Sequence, residues 1–227
     1  MGSYQPWRYP LVVKVAILSS GGKDSSAAIW WAQCKGWDVK YLVTMIVTGG
    51  DSMMFQVPGT HLVNQQAKLC GIEWVAVETL GHPDTEISDL EDALKKLDID
   101  GIVSGALRSD YQKNRLERMC ERLGIKSFTP LWHQSPEDHL RNLILNGFKV
   151  MISGVSSEGI DEEWLGHEFD IESFETLKTL SEKYRFNIDG EGGEYETVVL
   201  AGPHMQGRLE IDFIKTWDGV RGHLIFE

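Results

Sequence analysis

The chain is poor in cysteine, has no long apolar run and carries no surplus of basic residues. Of its 227 residues only three are cysteine. Cys34, Cys70 and Cys120 are odd in number, widely separated and never paired as C-x-x-C, which argues against a disulfide framework and against a zinc or iron–sulfur site. Each is read as a small buried hydrophobe. No apolar stretch approaches the roughly 20 residues that span a bilayer. The first residues show no basic region followed by an apolar one, Lys14 interrupts the first apolar run, and Pro6 breaks the myristoylation pattern after Met1-Gly2-Ser3. The expectation is a cytoplasmic protein without a membrane partner. Lys and Arg number 22 against 34 Asp and Glu, a net charge of −12. A protein that wraps a nucleic-acid backbone needs a basic stripe, so no direct nucleic-acid contact is expected.

The charge is uneven along the chain. Residues 1–134 hold 14 Lys/Arg against 15 Asp/Glu, and residues 135–227 hold 8 against 19. The first part alternates strand-like and helix-like stretches, as parallel βα units do. Strands are expected at residues 11–19, 39–47, 74–77, 102–104 and 126–128. Helices are expected at 26–34, 60–70 closed by Gly71, 86–97 with Lys95 and Lys96 in its last turn, and 109–123 stopped by Gly124. After Thr129-Pro130 the pattern changes to a helix at 136–145, a strand at 149–155, helical stretches at 161–165 and 171–184, and two antiparallel strands at 208–214 and 220–226. The reading is an α/β chain with two domains. A doubly wound parallel five-stranded sheet occupies 1–134, and a smaller acidic α+β substrate-binding domain occupies 135–227.

Ser20-Gly21-Gly22-Lys23-Asp24-Ser25 lies between the first strand and the first helix. A strand turning through two glycines into a helix leaves backbone N–H groups converging at the helix N-terminus, where an anion binds. Lys23 adds a full charge, Ser20 and Ser25 add hydroxyl donors, and Asp24 offers a route to magnesium. The segment is not a Walker A loop, since Ile17 and Asp24 stand where that pattern needs glycine and Ser/Thr. It resembles the PP-loop of the ATP pyrophosphatase superfamily, which implies a HUP-like sheet and ATP cleaved between its α- and β-phosphates. Ligands bind at the carboxyl ends of such strands. Backbone groups at the end of strand two, in residues 44–48 with Met45, are therefore expected at the adenine, and Gly105 after strand four is expected to make room for ribose or triphosphate.

A second motif, Gly190-Glu191-Gly192-Gly193-Glu194-Tyr195-Glu196-Thr197, packs three carboxylates and three glycines into eight residues. By itself it reads as a solvated acidic loop. Together with the PP-loop it resembles the diphthine–ammonia ligase family, which pairs S-G-G-K-D-S with E-G-G-E-[YF]-E-T. Ser104-Gly105-Ala106 with Ser109 through Arg115, Thr129-Pro130-Leu131-Trp132, and Gly154-Val155-Ser156 with Asp161 through Gly166 are also similar to family segments. One departure is the M-[FY]-H-x-x-N segment, where Gln56 and Gly59 stand for the histidine and asparagine.

The resemblance implies ATP-dependent amidation of diphthine on elongation factor 2 by free ammonia, giving diphthamide, AMP and pyrophosphate. Lys23 and Asp24 would be catalytic, and Ser20, Gly21, Gly22, Lys23, Asp24, Ser25, Met45 and Gly105 would bind ATP, with Mg2+ at Asp24. Gln112, Arg115, Glu191, Glu194 and Glu196 would bind the acceptor. Gln112 and Arg115 share a helix face by their spacing. Tyr195, Trp132 or Trp164 would join the acids in receiving the trimethylammonium of diphthine. A tRNA-modifying PP-loop enzyme and a non-catalytic ATP-binding module are the alternatives, and a homodimer is left open beside the monomer.

Overall fold

The computed structural model describes residues 12–49, 59–83 and 85–227. Gln56, Gly50-Asp51 and the first eleven residues lie outside this set.

Five strands form a parallel sheet: β1 (Lys14–Leu18), β2 (Asp38–Val47), β3 (Glu73–Thr79), β4 (Gly101–Val103) and β5 (Lys126–Phe128), in the order β3-β2-β1-β4-β5. Val15, Ala16 and Ile17 in β1 are fully buried because β1 is the central strand and both its faces are covered. On one face Val15, Ile17 and Leu42 pack against α1 (Lys23–Cys34) and α2 (Val63–Cys70), through Ala28, Ile29, Val63 and Ala67. On the other, Ala16, Val43, Met45 and Ile102 meet α3 (Glu86–Leu94) and α4 (Asp110–Leu123), through Ile87, Leu90, Leu116 and Met119. The sheet is doubly wound, as expected.

Strand order reverses between β1 and β4, so the carboxyl ends of these two strands bound a crevice. Gly71 and Gly124 end α2 and α4 in the left-handed conformation (φ 67° each), the stop for which glycine has no steric penalty. The helix of residues 60–70 splits into a 3-10 turn at Thr60–Leu62 followed by α2. α3 ends at Leu94, so Lys95 and Lys96 lie just past it.

The remainder forms a four-stranded antiparallel sheet in the order β7-β6-β9-β8. Its strands are β6 (Lys149–Val155), β7 (Tyr195–Ala201), β8 (Phe213–Trp217) and β9 (Gly222–Phe226). Helices α5 (Pro136–Leu145) and α6 (Ile171–Tyr184) cover it, with Leu140, Leu143, Phe174 and Leu177 joining Phe148, Ile152 and Val199 in one core. Several expectations are corrected here. Residues 195–197, read as the end of an acidic loop, instead open the strand β7, and β8 begins at Phe213 rather than at residue 208. Residues 161–165 make only a 3-10 turn, Glu162–Trp164. Cys120 is buried, Cys70 half-buried and Cys34 exposed, so the expectation of burial fails for Cys34. Burial pushes the Cys120 thiol up to about 11 and the Cys70 thiol up to about 12, which makes neither a ready nucleophile. No helix among the described residues is long and apolar enough to cross a membrane.

Candidate active site

At the carboxyl ends of β1 and β4 lies a cleft of about 220 Å3, lined by Ser20, Asp24, Ser25, Met45, Ser104, Gly105, Gln112 and Glu191 among others. Seven of the residues expected at the site from sequence therefore meet there. Gly21 has φ 83°, and its carbonyl accepts from the Val199 amide at 3.0 Å and from Gln66 Nε2 at 2.9 Å. Gly22 sits at the N-cap of α1 without a side-chain cap. The Lys23 amide instead donates to Thr197 Oγ1 of β7 at 3.2 Å. The amides of Asp24 and Ser25, at the start of the helix, have no intrahelical carbonyl and face the anion-binding end of the dipole. Ser104 Oγ, on the cleft wall, is buried and has no hydrogen-bond partner among the described residues.

Gly105 lines the cleft, but the expected reason for it needs amending. A Cβ there would fall 2.6 Å from the carbonyl carbon of Asp24 and 2.8 Å from the Ser25 nitrogen. The missing side chain thus lets the β4 loop lie on the backbone of the PP-loop helix.

Lys23 does not line the cleft. Its side chain is 6% exposed, with Nζ 2.9 Å from Asp24 Oδ2 and 5.7 Å from the centre of the Tyr195 ring. Asp24 Oδ1 is 2.7 Å from His139 Nε2 on α5. Burial alone would raise the Asp24 pKa, but the Lys23 charge and the His139 hydrogen bond outweigh it and hold the carboxyl below its usual range. Glu191 moves the other way: burial, with the Asp24 charge beside it, raises its pKa although the Arg108 amide donates to Oε1 at 3.2 Å. Arg108 Nη2 donates to both oxygens of fully buried Asp189 at 2.7 Å. One residue of the β4–α4 loop thereby holds the acidic glycine loop at two points.

Three of the expected acceptor contacts are not brought to the cleft. Arg115 turns toward α3, where it bonds the Pro83 carbonyl and the Tyr111 hydroxyl and approaches Glu86 at 3.7 Å. Its i, i+3 spacing from Gln112 puts both on one side of α4, yet a long side chain there reaches the neighbouring helix. Glu194 folds back on its own turn, accepting from the Asn187 amide at 2.8 Å and the Gly192 amide at 2.8 Å. Glu196 follows strand alternation. Because Tyr195 and Thr197 face Lys23, Glu196 faces a second cavity with Trp217 and His223. Trp132 lies under Lys113 at 5.2 Å and Trp164 packs on His167 and Phe169, so neither ring reaches the cleft. His139, Asp189 and Gln66 went unnoticed in the sequence, and Arg108 and Thr197 stood within recognised segments without a role of their own. They are isolated residues whose partners lie 45 to 174 positions away, and only the D-x-E spacing of Asp189 and Glu191 offered a signal.

Residues 13–127 match the model of the diphthamide synthase N-terminal domain, and residues 135–227 match that of its C-terminal domain. The chain belongs to the diphthamide synthase family. Similar curated members include the diphthine–ammonia ligases of Mus musculus, 32% identical over 224 residues with 88% of this chain and 83% of that one covered, and of Danio rerio, 31% identical over 227 residues with 90% and 88% covered. The diphthine–ammonia ligase of Schizosaccharomyces pombe is 30% identical over 217 residues, covering 87% of this chain but 36% of its own length. Both halves of the chain thus fall within the family, and the cleft joins the PP-loop of one to Glu191 of the other.

Proposed function

We propose that the chain is a ligase that amidates diphthine with ammonia at the expense of ATP, with elongation factor 2 as the protein bearing the acceptor. The observation that carries this reading is the single cleft shared by the Ser20–Ser25 loop and Glu191, in a chain whose relatives are named diphthine–ammonia ligases. The outer phosphates of ATP sit on the amides of Asp24 and Ser25, with Ser20, Ser25 and the free hydroxyl of Ser104 as further donors and Lys23 as the cation. Met45 and Gly105 border the nucleoside, and Gln112 borders the acceptor.

An acceptor carboxylate oxygen bonds the α-phosphorus, the α–β phosphoanhydride bond breaks, and pyrophosphate leaves. The nitrogen lone pair of ammonia then bonds the acyl carbon, the carbon–oxygen bond to AMP breaks, and the carboxamide forms. The proton lost by nitrogen goes to Glu191, the second carboxylate on the cleft wall. Both reactants share one crevice, which removes much of the entropic barrier. Magnesium is bound by one or two carboxylates together with phosphate oxygens. Asp24, kept ionised on the cleft wall, fits that donor set, and the ion would neutralise charge on pyrophosphate. Every residue named lies in one chain, so a homodimer is not required, and a translation factor as substrate implies the cytoplasm.

The test is pyrophosphate release with ATP, diphthine-bearing elongation factor 2 and ammonium. Release should require all three, and Lys23→Ala should lower kcat by roughly 10²–10³-fold, as loss of a charge-stabilising donor does. Release that is independent of ammonium, or phosphate released in place of pyrophosphate, would refute the reading.

A further inference from the structure

A phosphate-binding loop calls for a free ammonium, yet that of Lys23 is held away from the cleft against Asp24 Oδ2, 2.9 Å away, and over the Tyr195 ring. Asp24 faces the cleft, and its second oxygen is 2.7 Å from His139 Nε2. The row Lys23–Asp24–His139 runs from the PP-loop to α5, where the His139 side chain is 4% exposed. An ionised carboxylate only accepts, so Nε2 carries the hydrogen.

A nucleotide must draw the ammonium off Asp24. A part-buried carboxylate with one partner either follows that partner or resists its departure, since losing it leaves a charge without compensation. A carboxylate held by a second, fixed donor does neither. His139 is fixed, because it is buried in the first turns of a helix capped by Ser135, whose Oγ accepts from the Asp138 amide.

Resting on the nucleotide reading above, we propose that His139 is a positioning residue for ATP. It anchors Asp24 by one oxygen, so that Lys23 swings to the phosphates while Asp24 stays on the cleft wall with its other oxygen free. The requirement is for an N–H at that place, not for a charge.

The experiment is calorimetric titration of ATP, with and without magnesium, into the full chain. His139→Leu should raise Kd about tenfold, equivalent to about 1.4 kcal/mol. His139→Gln, whose amide N–H can replace the ring N–H, should stay within about threefold of wild type. In an Asp24→Ala background, adding His139→Leu should change Kd by less than about twofold, because the acceptor it anchors is gone. A packing role would give equal losses in both backgrounds and no rescue by glutamine. Either result, or an unchanged Kd for His139→Leu, overturns the proposal. Should His139→Leu fail to fold in a thermal melt, His139→Phe takes its place in the same cycle. A wild-type chain that does not bind ATP would refute the nucleotide reading itself, whereas binding with an additive cycle would refute this inference alone.

Discussion

Replacing Gly105 with alanine adds one methyl group, and its surroundings permit a worked estimate. The new carbon would lie 2.6 Å from the carbonyl carbon of Asp24, 2.8 Å from its oxygen and 2.8 Å from the Ser25 nitrogen. Ordinary contact between such atoms is about 3.5–4.0 Å, so about 1 Å must be found. The obstacles are backbone atoms in the first turn of α1 and cannot rotate aside, so either that turn or the β4 loop moves. Overpacking of this kind costs about 1–3 kcal/mol. At about 2–4 °C per kcal/mol for a chain of this size, the melting temperature should fall by about 2–12 °C. The functional loss should be larger than the stability loss suggests, because the displaced turn carries the amides assigned to phosphate. A misplacement near 1 Å costs about 10²-fold in rate, so kcat/KM for ATP should drop by about that factor. Gly36→Ala is the control: φ is 69° and nothing lies within 4 Å of the added carbon. It should lose about 1–2 kcal/mol through backbone strain alone and leave ATP affinity unchanged. A Gly105→Ala protein that melts and binds ATP like wild type would refute the packing argument.

Arg108→Ala leaves Asp189, which is fully buried, without its guanidinium. Losing one partner of a buried pair costs about 3–5 kcal/mol, to be read by urea denaturation, and an unchanged midpoint would discount the clamp. Thr197→Val keeps the shape of the side chain but removes the acceptor for the Lys23 amide. The expected loss is about 1 kcal/mol, as for other helix N-caps, together with weaker ATP binding by calorimetry. His204 is 5% exposed and stacks on Phe148 at 5.3 Å, and burial lowers its pKa from 6.5 to about 4. Between those values the unfolded chain binds a proton that the folded chain does not. Stability should therefore be full above pH 6.5 and fall by about 3 kcal/mol as pH drops to 4. Denaturation of His204→Phe across that window should show this part of the slope missing, and an unchanged slope would assign the loss to other groups.

The first sheet was readable because its strands are continuous apolar runs and its helices end at glycines where the chain needs a left-handed residue, as at Gly71 and Gly124. The PP-loop was readable for a related reason, since a local motif set between a strand and a helix carries its geometry with it. β7 escaped because its first residues belong to a segment dense in glutamate and glycine, which suggests a loop. Tertiary pairing with β6 outweighs that local preference and buries Tyr195, Thr197, Val198 and Val199. Missing the strand meant missing its alternation, and so Glu196 was assigned to the same receptor as Glu191 although it faces the second cavity. Arg115 failed differently: spacing along a helix names a face but not how far a guanidinium reaches. His139, Arg108 and Asp189 form pairs between the two halves of the chain, and nothing local announces such a pair.

The carbonyl of Gly21 is bonded by the Val199 amide, and Gln66 Nε2 bridges that same carbonyl and the carbonyl of Val199. The turn at Gly21 is therefore riveted to the second sheet, and the two sheets cannot hinge apart at this point without breaking these bonds. Amide exchange at Val199 should accordingly be as slow as in the sheet interiors, with or without nucleotide.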